Sequence, residues 1–352
     1  MRKLMTYLLA AMGLTSACGQ QNFEDADVNG FAALTNEANT VVLDVRHDNE
    51  YNEGHLEGAI HIDQAKEDFM EKAKAVLPAD KTIAVYCRSG RRSASAANRL
   101  SAGGYKVVNL KGGIMAWTSA GMPTTTDTYE VDKFATKSGK VVKLYALTHA
   151  SIRMVVDGKT EIMIDPVRKL GNKEVNYASM PKASYIFVTH EHFDHFDKDA
   201  ISTLTNSNTQ LVTNKRCAEM IGYGKAMANG DKLQLADELS IEAVPAYNTT
   251  EGHLQFHPKG RDNGFVINID GLRIYVAGDT EDIPEMSAIK DIDIAFLPCN
   301  QPYTMTTDQL LKAARMVKPK VLFPYHYGQT DVSGVPAQLK NDNIDVRIRH
   351  YE

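Results

Sequence analysis

Two α/β domains in tandem are predicted, and three observations predict them: the length of the chain, the alternation of short β-branched runs with helical stretches, and a polar break near residue 124 beyond which the strand pattern changes. At 352 residues the chain is long enough for two ordinary domains. Its composition, 43% hydrophobic and 24% charged, is that of a globular protein. A net charge of -5 gives no general pull toward nucleic acid or anionic lipid, so no nucleic-acid partner is expected.

The chain begins with a segment expected to lie outside the fold. Arg2 and Lys3 are followed by an apolar run over 4–14, too short to span a bilayer as a helix, and then by Thr15-Ser16-Ala17-Cys18. Residues 1–18 therefore read as an export signal. The small residues before a cysteine resemble a bacterial lipoprotein signal, which implies Cys18 as a lipidated N-terminus; the alternative is a plain secretory signal. The expected location is the bacterial cell envelope, with membrane contact through the N-terminal lipid only, or otherwise the periplasm.

Residues 19–27 are polar and read as a tether. The first domain is expected over 28–123, with buried parallel strands at 41–43 and 83–86 and a helix at 93–101 stopped by Gly103-Gly104. Pro123 and Thr124-Thr125-Thr126-Asp127 mark a linker over 124–130. The second domain, 131–352, carries strand runs at 141–147, 152–156, 161–164, 185–189, 210–212, 265–269, 273–277, 294–297 and 321–324. The four cysteines show neither a disulfide framework nor a paired-cysteine zinc site, and Cys217 and Cys299 read as small apolar residues, with pairing in an oxidising compartment as the alternative.

In the first domain the notable segment is Tyr86-Cys87-Arg88-Ser89-Gly90-Arg91-Arg92-Ser93. A strand ends at Cys87 and a helix begins near Ser93. Backbone N–H groups curled around the sulfur, with Arg88, Arg91 and Arg92 nearby, favour an anion and make Cys87 a nucleophile. The domain resembles the rhodanese family in Leu43-Asp44-Val45-Arg46, in Gly54-His55-Leu56-Glu57-Gly58-Ala59, in the Cys87 loop and in Leu110-Lys111-Gly112-Gly113-Ile114. The resemblance implies a persulfide on Cys87, a sulfane-sulfur donor as partner, a loop of sulfur-transfer rather than phosphatase length, and structural roles for Asp44 and Arg46.

In the second domain a strand runs directly into His190-Glu191-His192-Phe193-Asp194-His195. Three imidazoles and a carboxylate within six positions suit zinc, iron or manganese. This motif, with Ile164-Asp165-Pro166, Ala277-Gly278-Asp279-Thr280 and Tyr325-His326-Tyr327, resembles the metallo-β-lactamase superfamily, and Phe193 with His149-Ala150-Ser151 resembles its ascorbate-6-phosphate-lactonase-like branch. The resemblance implies an αββα sandwich and two divalent metal ions, zinc first, with manganese or iron as alternatives. It implies His190, His192 and a third histidine on one ion, Asp194, His195 and His326 on the other, and Asp279 bridging them. His257 and His253 are both candidates for the third histidine, with His257 preferred on motif context. Asp194 is also expected to move a proton, Glu191 to face solvent, and His149 to orient a ligand, touch substrate or serve a structural role. Asn300, Tyr303 and Thr304 are expected near the pocket.

The leading expectation is hydrolysis of a small-molecule ester, lactone, thioester, amide or phosphodiester by a metal-bound hydroxide, joined to a sulfurtransferase domain. One alternative is a persulfide dioxygenase with a single non-haem iron; another is a lipid-anchored sulfur- or metal-binding protein.

Overall fold

The computed structural model describes residues 22–351, so the expected signal at 1–18, Cys18 included, lies outside the described residues. The described chain divides into two compact units between Thr126 and Asp127, within the expected linker. Among the described residues, no helix is long and apolar enough to cross a membrane.

The first unit is a five-stranded parallel sheet in the order Glu24–Ala26, Lys106–Leu110, Thr82–Tyr86, Thr40–Asp44, Ile60–His61. Its central strands are apolar on both faces because both faces are covered. Leu43, Ile83 and Val85 pack toward Phe69, Ala97 and Leu100, whereas Val42, Ala84 and Tyr86 pack toward Phe31 and Trp117. The tether reading fails from Glu24 onward, because Glu24–Ala26 adds an edge strand paired with Val108, Asn109 and Leu110. A three-residue strand that is mostly exposed has too little apolar sequence to announce itself.

The second unit is built on two seven-stranded sheets. One has the order Lys225–Ala226, Gln210–Thr213, Tyr185–Val188, Thr160–Ile164, Ser151–Val156, Val141–Thr148, Val131–Ala135. The other runs Lys232–Ala236, Leu239–Ala246, Asp262–Ile269, Leu272–Val276, Ile294–Pro298, Val321–Tyr325, Asp345–Val346. Both mix parallel and antiparallel pairs. Their inner faces share one core, with Leu144, Ile152 and Phe187 from the first and Ile241, Phe265 and Phe323 from the second. Outside the first sheet lies Lys198–Leu204, burying Ala200, Ile201 and Leu204. Outside the second lies Thr307–Val317, whose Leu310, Leu311, Ala314 and Val317 form the apolar stripe of an amphipathic helix started by a Thr306–Gln309 capping box. The order of layers is helix, sheet, sheet, helix, the expected sandwich.

The C-terminal run is tied to this frame by charge. Asp132 accepts from Arg347 at 2.8 Å and from Arg349 at 2.8 Å, and Tyr351 is buried in the inter-sheet core.

Candidate metal centre and sulfur loop

In the first unit Cys87 ends the strand Thr82–Tyr86 and is buried. Its sulfur accepts from the Gly90 N–H at 3.2 Å and the Ser93 hydroxyl at 3.3 Å. The loop is clamped from behind: Ile114 and Met115 donate their N–H groups to the Cys87 and Arg88 carbonyls at 2.8 and 3.1 Å. Gly113 makes that approach possible, because a Cβ there would sit 2.4 Å from the Cys87 carbonyl and its φ is +61°. The three arginines are not equivalent. Arg88 and Arg91 are exposed, while Arg92 forms a two-pronged ion pair with Glu50 at 2.6 Å. That hydrogen-bonded pair holds the Glu50 carboxyl down to about 2. Asp44 and Arg46 pair with each other inside the domain, and Arg46 also reaches the Gly54 carbonyl at 2.7 Å, a scaffold role.

In the second unit the histidines and aspartates sit at strand ends of both sheets. His149 occupies the turn after Val141–Thr148, Asp165 follows Thr160–Ile164, and His190 lies just past Tyr185–Val188. Asp279 lies just past Leu272–Val276, and His326 follows Val321–Tyr325. Side chains beyond the carboxyl ends of strands meet in one crevice. Three of these positions, His149, Asp165 and His326, take left-handed backbone with φ of 49°, 45° and 49°. Non-glycine residues adopt it at a cost of about 1–3 kcal/mol each, which the surrounding packing must impose. Gly278 allows the close approach at Asp279, since a Cβ there would lie 2.8 Å from the Asn263 carbonyl.

Two groups of ligand atoms result, each gathered within 4.8 Å: His190, His192, His257 and Asp279; and His149, Asp194, His195 and His326. Asp279 faces both. Its Oδ2 is 3.3 Å from Nε2 of His257 and of His326 and 3.8 Å from Nε2 of His190, and its Oδ1 is 3.1 Å from Nε2 of His195. Of the two candidates for the third histidine, His257 is thus brought to the centre. His253 is not among either group; its Nδ1 lies 3.5 Å from Oε1 of the buried Glu281.

Three of the rings, His190, His195 and His257, are presented by partners on their other nitrogen. Asp165, fully buried, accepts from the Thr189 N–H at 2.8 Å and the Thr189 hydroxyl at 2.7 Å, and lies 2.8 Å from Nδ1 of His195. The same hydroxyl is 3.0 Å from Nδ1 of His190. Asp262 is 3.1 Å from Nδ1 of His257 and is itself gripped by Arg261 at 2.7 Å. With Nδ1 so engaged in His190, His195 and His257, Nε2 carries the free lone pair of these three rings.

The centre's electrostatics suit cations. Burial, then the neighbouring His195, push His190 well below the ordinary imidazole range, leaving it neutral. Burial works against charge on His195, His257 and His326 as well, yet Asp279 helps to raise all three, with Asp165 acting on His195, Asp262 on His257 and Asp194 on His326, the last to about 9. A carboxylate that draws protons to three imidazoles draws a divalent cation to the same place. Among the described residues, the buried Nε2 atoms of His190 and His326 make no hydrogen bond, as ligand atoms would not. Separations of 3.1–3.8 Å also bracket the edge of roughly 3.4 Å between neighbouring ligands on a tetrahedral ion with bonds near 2.1 Å. The donor set fits zinc, manganese or iron.

Some expectations need correction. Glu191 does not face solvent: its side chain is only 7% exposed and lies 3.2 Å from Arg216 and 3.7 Å from Arg261, with Asn214 donating to it. The arginines draw it against the loop. Asp194 stays ionised although burial works against its charge, because His149 and His326 hold its carboxyl well below the usual carboxylate range. Asn300 packs near the loop after His326, its amide 3.3 Å from where a side chain at Gly328 would begin. Thr304 is buried and donates to the Asn300 carbonyl at 3.2 Å, while Tyr303 is exposed and meets the Phe256 ring edge-on at 5.0 Å. Cys217 and Cys299 are buried free thiols. Thr189, Asp262 and Arg261 went unread in the sequence; the available signal was an acid heading the apolar strand Asp262–Ile269, five residues beyond His257.

The chain matches two family models, a rhodanese-like domain over residues 27–120 and a beta-lactamase superfamily domain over residues 143–326. A UPF0173 metal-dependent hydrolase of Pelotomaculum thermopropionicum is 31% identical over 212 residues, covering 57% of this chain and 91% of the relative. A crystal structure from Parabacteroides distasonis, of a protein classed with the metal-dependent hydrolases, aligns with a TM-score of 0.61 at 48% identity over 64% of this chain and 100% of that one. Igni18, a metallo hydrolase of Ignicoccus hospitalis, aligns with a TM-score of 0.51 at 26% identity over 59% of this chain and 94% of its own.

Proposed function

Because this chain belongs to the β-lactamase superfamily, with the UPF0173 metal-dependent hydrolases, and carries a rhodanese-like domain ahead of that fold, we propose that it is a two-cation hydrolase of small molecules joined to a sulfurtransferase. The observation that carries the reading is the pair of four-residue ligand groups, one of which contains Asp279 while Asp279 also faces the other. When bound, two divalent cations supply Lewis acidity and a water acidic enough to attack near neutral pH. The chain's own residues prepare the place. Asp165, Thr189 and Asp262 fix ring orientation, and Asp194 holds its Oδ2, as a carboxylate, 3.3 Å from Nε2 of His149 and 3.5 Å from Nε2 of His326.

The bond cleaved is an ester, lactone, thioester, amide or phosphodiester. An apolar group beside it is favoured by Phe193, which is 77% exposed between two ligand residues, and by exposed Leu254 and Tyr303 flanking the His257 loop. In the first unit Cys87 takes up sulfane sulfur as a persulfide, its anionic form stabilised by the Gly90 N–H and the Ser93 hydroxyl. The N-terminal sequence supports export and a lipid anchor at Cys18, so Cys18→Ser is expected to release the protein from membranes in fractionation.

Metal analysis with an activity panel tests the reading. About two zinc or manganese ions per chain with ester, thioester or phosphodiester turnover is the expected result. One iron, with oxygen uptake on a persulfide, would replace it by a dioxygenase. Metal without turnover on any of these would leave a binding protein.

A further inference from the structure

We propose that His47, backed by Asp63, is the base through which a thiol acceptor takes the sulfane sulfur from Cys87; this rests on the sulfurtransferase reading above and concerns the second half of that reaction. An acceptor thiol has a pKa of about 8.5, so near neutral pH it arrives protonated and needs a base. The sulfur loop offers none. The Gly90 N–H and the Ser93 hydroxyl donate to the sulfur, and the guanidiniums of Arg88, Arg91 and Arg92 have no lone pair to give. Glu50 has both carboxylate oxygens on Arg92, which holds its carboxyl down to about 2.

The topology brings an imidazole to the same edge of the sheet. Asp44 and Tyr86 are partners across the parallel ladder, and the Val45 N–H donates to the Tyr86 carbonyl at 3.1 Å, so the segments after them leave the sheet side by side. His47 stands shortly after Thr40–Asp44, Cys87 directly after Thr82–Tyr86, and Asp63 just past the neighbouring strand Ile60–His61. All three lie beyond the carboxyl ends of parallel strands, where such sheets gather their reactive side chains. A hydrogen-bonded chain also joins His47 to the sulfur loop. Its N–H donates to Oε2 of Glu50 at 3.3 Å, Glu50 accepts from Arg92 at 2.6 Å, and Arg92 lies beside the sulfur.

The pair has the build of a base and its orienting acid. Nδ1 of His47 lies 2.8 Å from Oδ2 of Asp63, whose Oδ1 accepts the Ala65 N–H at 2.9 Å. Asp63 has only 7% of its side chain exposed, whereas the His47 side chain is 51% exposed, so a fixed carboxylate stands behind a ring that an incoming thiol reaches. With the proton on Nδ1 facing Asp63, the lone pair is on Nε2. Neighbouring charges are engaged elsewhere: Asp48 pairs with Lys66 at 3.0 Å, and Nε2 of His61 donates to the Arg46 carbonyl at 2.9 Å. The step then balances without an oxidant or reductant. Nε2 of His47 takes the thiol proton, and the thiolate forms a sulfur–sulfur bond to the outer sulfur of the Cys87 persulfide anion. The bond from that sulfur to Cys87 breaks, its electron pair stays on Sγ beside the Gly90 N–H and the Ser93 hydroxyl, and the proton passes from His47 to the outer sulfur of the departing persulfide.

Single-turnover transfer from the full chain, loaded with sulfur from thiosulfate and followed by mass spectrometry of Cys87, tests this with two acceptors. Transfer to 2-mercaptoethanol moves a proton; transfer to sulfite dianion, which returns thiosulfate, moves none. His47→Gln is expected to slow transfer to the thiol by about 100-fold at pH 7.5 and to leave transfer to sulfite at the wild-type rate. The deficit should shrink as the pH rises past the thiol's own pKa, where solvent supplies the thiolate. Asp63→Asn should show a smaller loss in the same thiol-only pattern, and it decides the matter if His47→Gln does not fold. A folded variant that slows both acceptors equally, keeps its deficit at high pH or transfers to the thiol at the wild-type rate overturns the assignment. A wild type that takes up no sulfur at Cys87 overturns the sulfurtransferase reading together with this one.

Discussion

In the first unit the groups that meet the Cys87 sulfur, Gly90 and Ser93, lie within seven residues of chain, between the end of one strand and the first turn of the next helix. In the second unit the two ligand groups draw on the His190–His195 loop and on four further positions, 149, 257, 279 and 326, delivered by strands of both sheets. The sulfur loop is a local structure that needs the rest of its domain mainly as a clamp. The metal centre exists only when two sheets have closed on each other, and Asp279 is where their contributions meet. A local site should fail alone, whereas a distributed one should fail through metal loss.

The sharpest test crosses the two sites. Asp279→Ala removes the carboxylate facing four imidazoles, so it should lower hydrolase turnover by more than about 100-fold, beyond what losing an outer orienting partner costs, and lower bound metal with it. Sulfur transfer from thiosulfate should be unaffected. Cys87→Ser should do the reverse, abolishing sulfur transfer while metal content and hydrolysis stay at the wild-type level. Metal analysis and the two assays on both variants decide it; if each variant lost both activities while folded, the two sites would be chemically coupled.

A smaller effect probes how the distributed centre is kept in register. Asp262→Asn leaves a residue of the same shape but weakens the hold on Nδ1 of His257 and leaves Arg261 only the more distant Glu191 carboxylate. Metal affinity at the first group should fall by about 10–100-fold, measured by competition with a chromophoric chelator. An unchanged affinity would mean that the Asn248–His257 loop, whose Asn248 N–H donates to the His257 carbonyl at 2.9 Å, orients the ring unaided.

The same contrast explains what could be read beforehand. The Cys87 loop is contiguous, so its chemistry is visible in a single string of residues. The centre was legible where ligands cluster, at His190 to His195, and by motif at Asp279 and His326. Motif context preferred His257 over His253, and the fold supplies the physical reason: both lie on one loop whose turn aims His257 inward and leaves His253 against Glu281. Strands with continuous apolar runs, such as Tyr185–Val188 and Ile294–Pro298, were legible because they are buried on both sides. Lys232–Ala236 was not, since this edge strand alternates exposed with half-buried residues and carries only Leu233 and Leu235 against the core. The antiparallel Leu239–Ala246 carries Glu242 and Pro245, which interrupt its apolar pattern. Thr189 was invisible as a hub because a threonine ending a strand is ordinary in sequence; only the convergence of Asp165, His190 and His195 gives it a role.

The smallest effect concerns the clamp on the sulfur loop and is expected to leave the metal centre untouched. Glu50 accepts from both terminal nitrogens of Arg92 at 2.6 Å, and that pairing holds its carboxyl at about 2 against an unfolded value of 4.5. A folded value below the unfolded one means the pair contributes its full stability above about pH 4.5 and loses it as the pH falls toward 2. Both side chains remain partly open to solvent, so the contribution is about 1 kcal/mol or less. Glu50→Gln should therefore destabilise the first unit by that amount at pH 7 and by less at pH 3.5, measured by urea unfolding followed through Trp117, the chain's one tryptophan, which lies in this unit. It should also slow sulfur transfer, because Arg92, freed from Glu50, no longer holds one position beside the sulfur. A stability difference that is the same at both pH values would show that the carboxylate's charge is not what secures the loop.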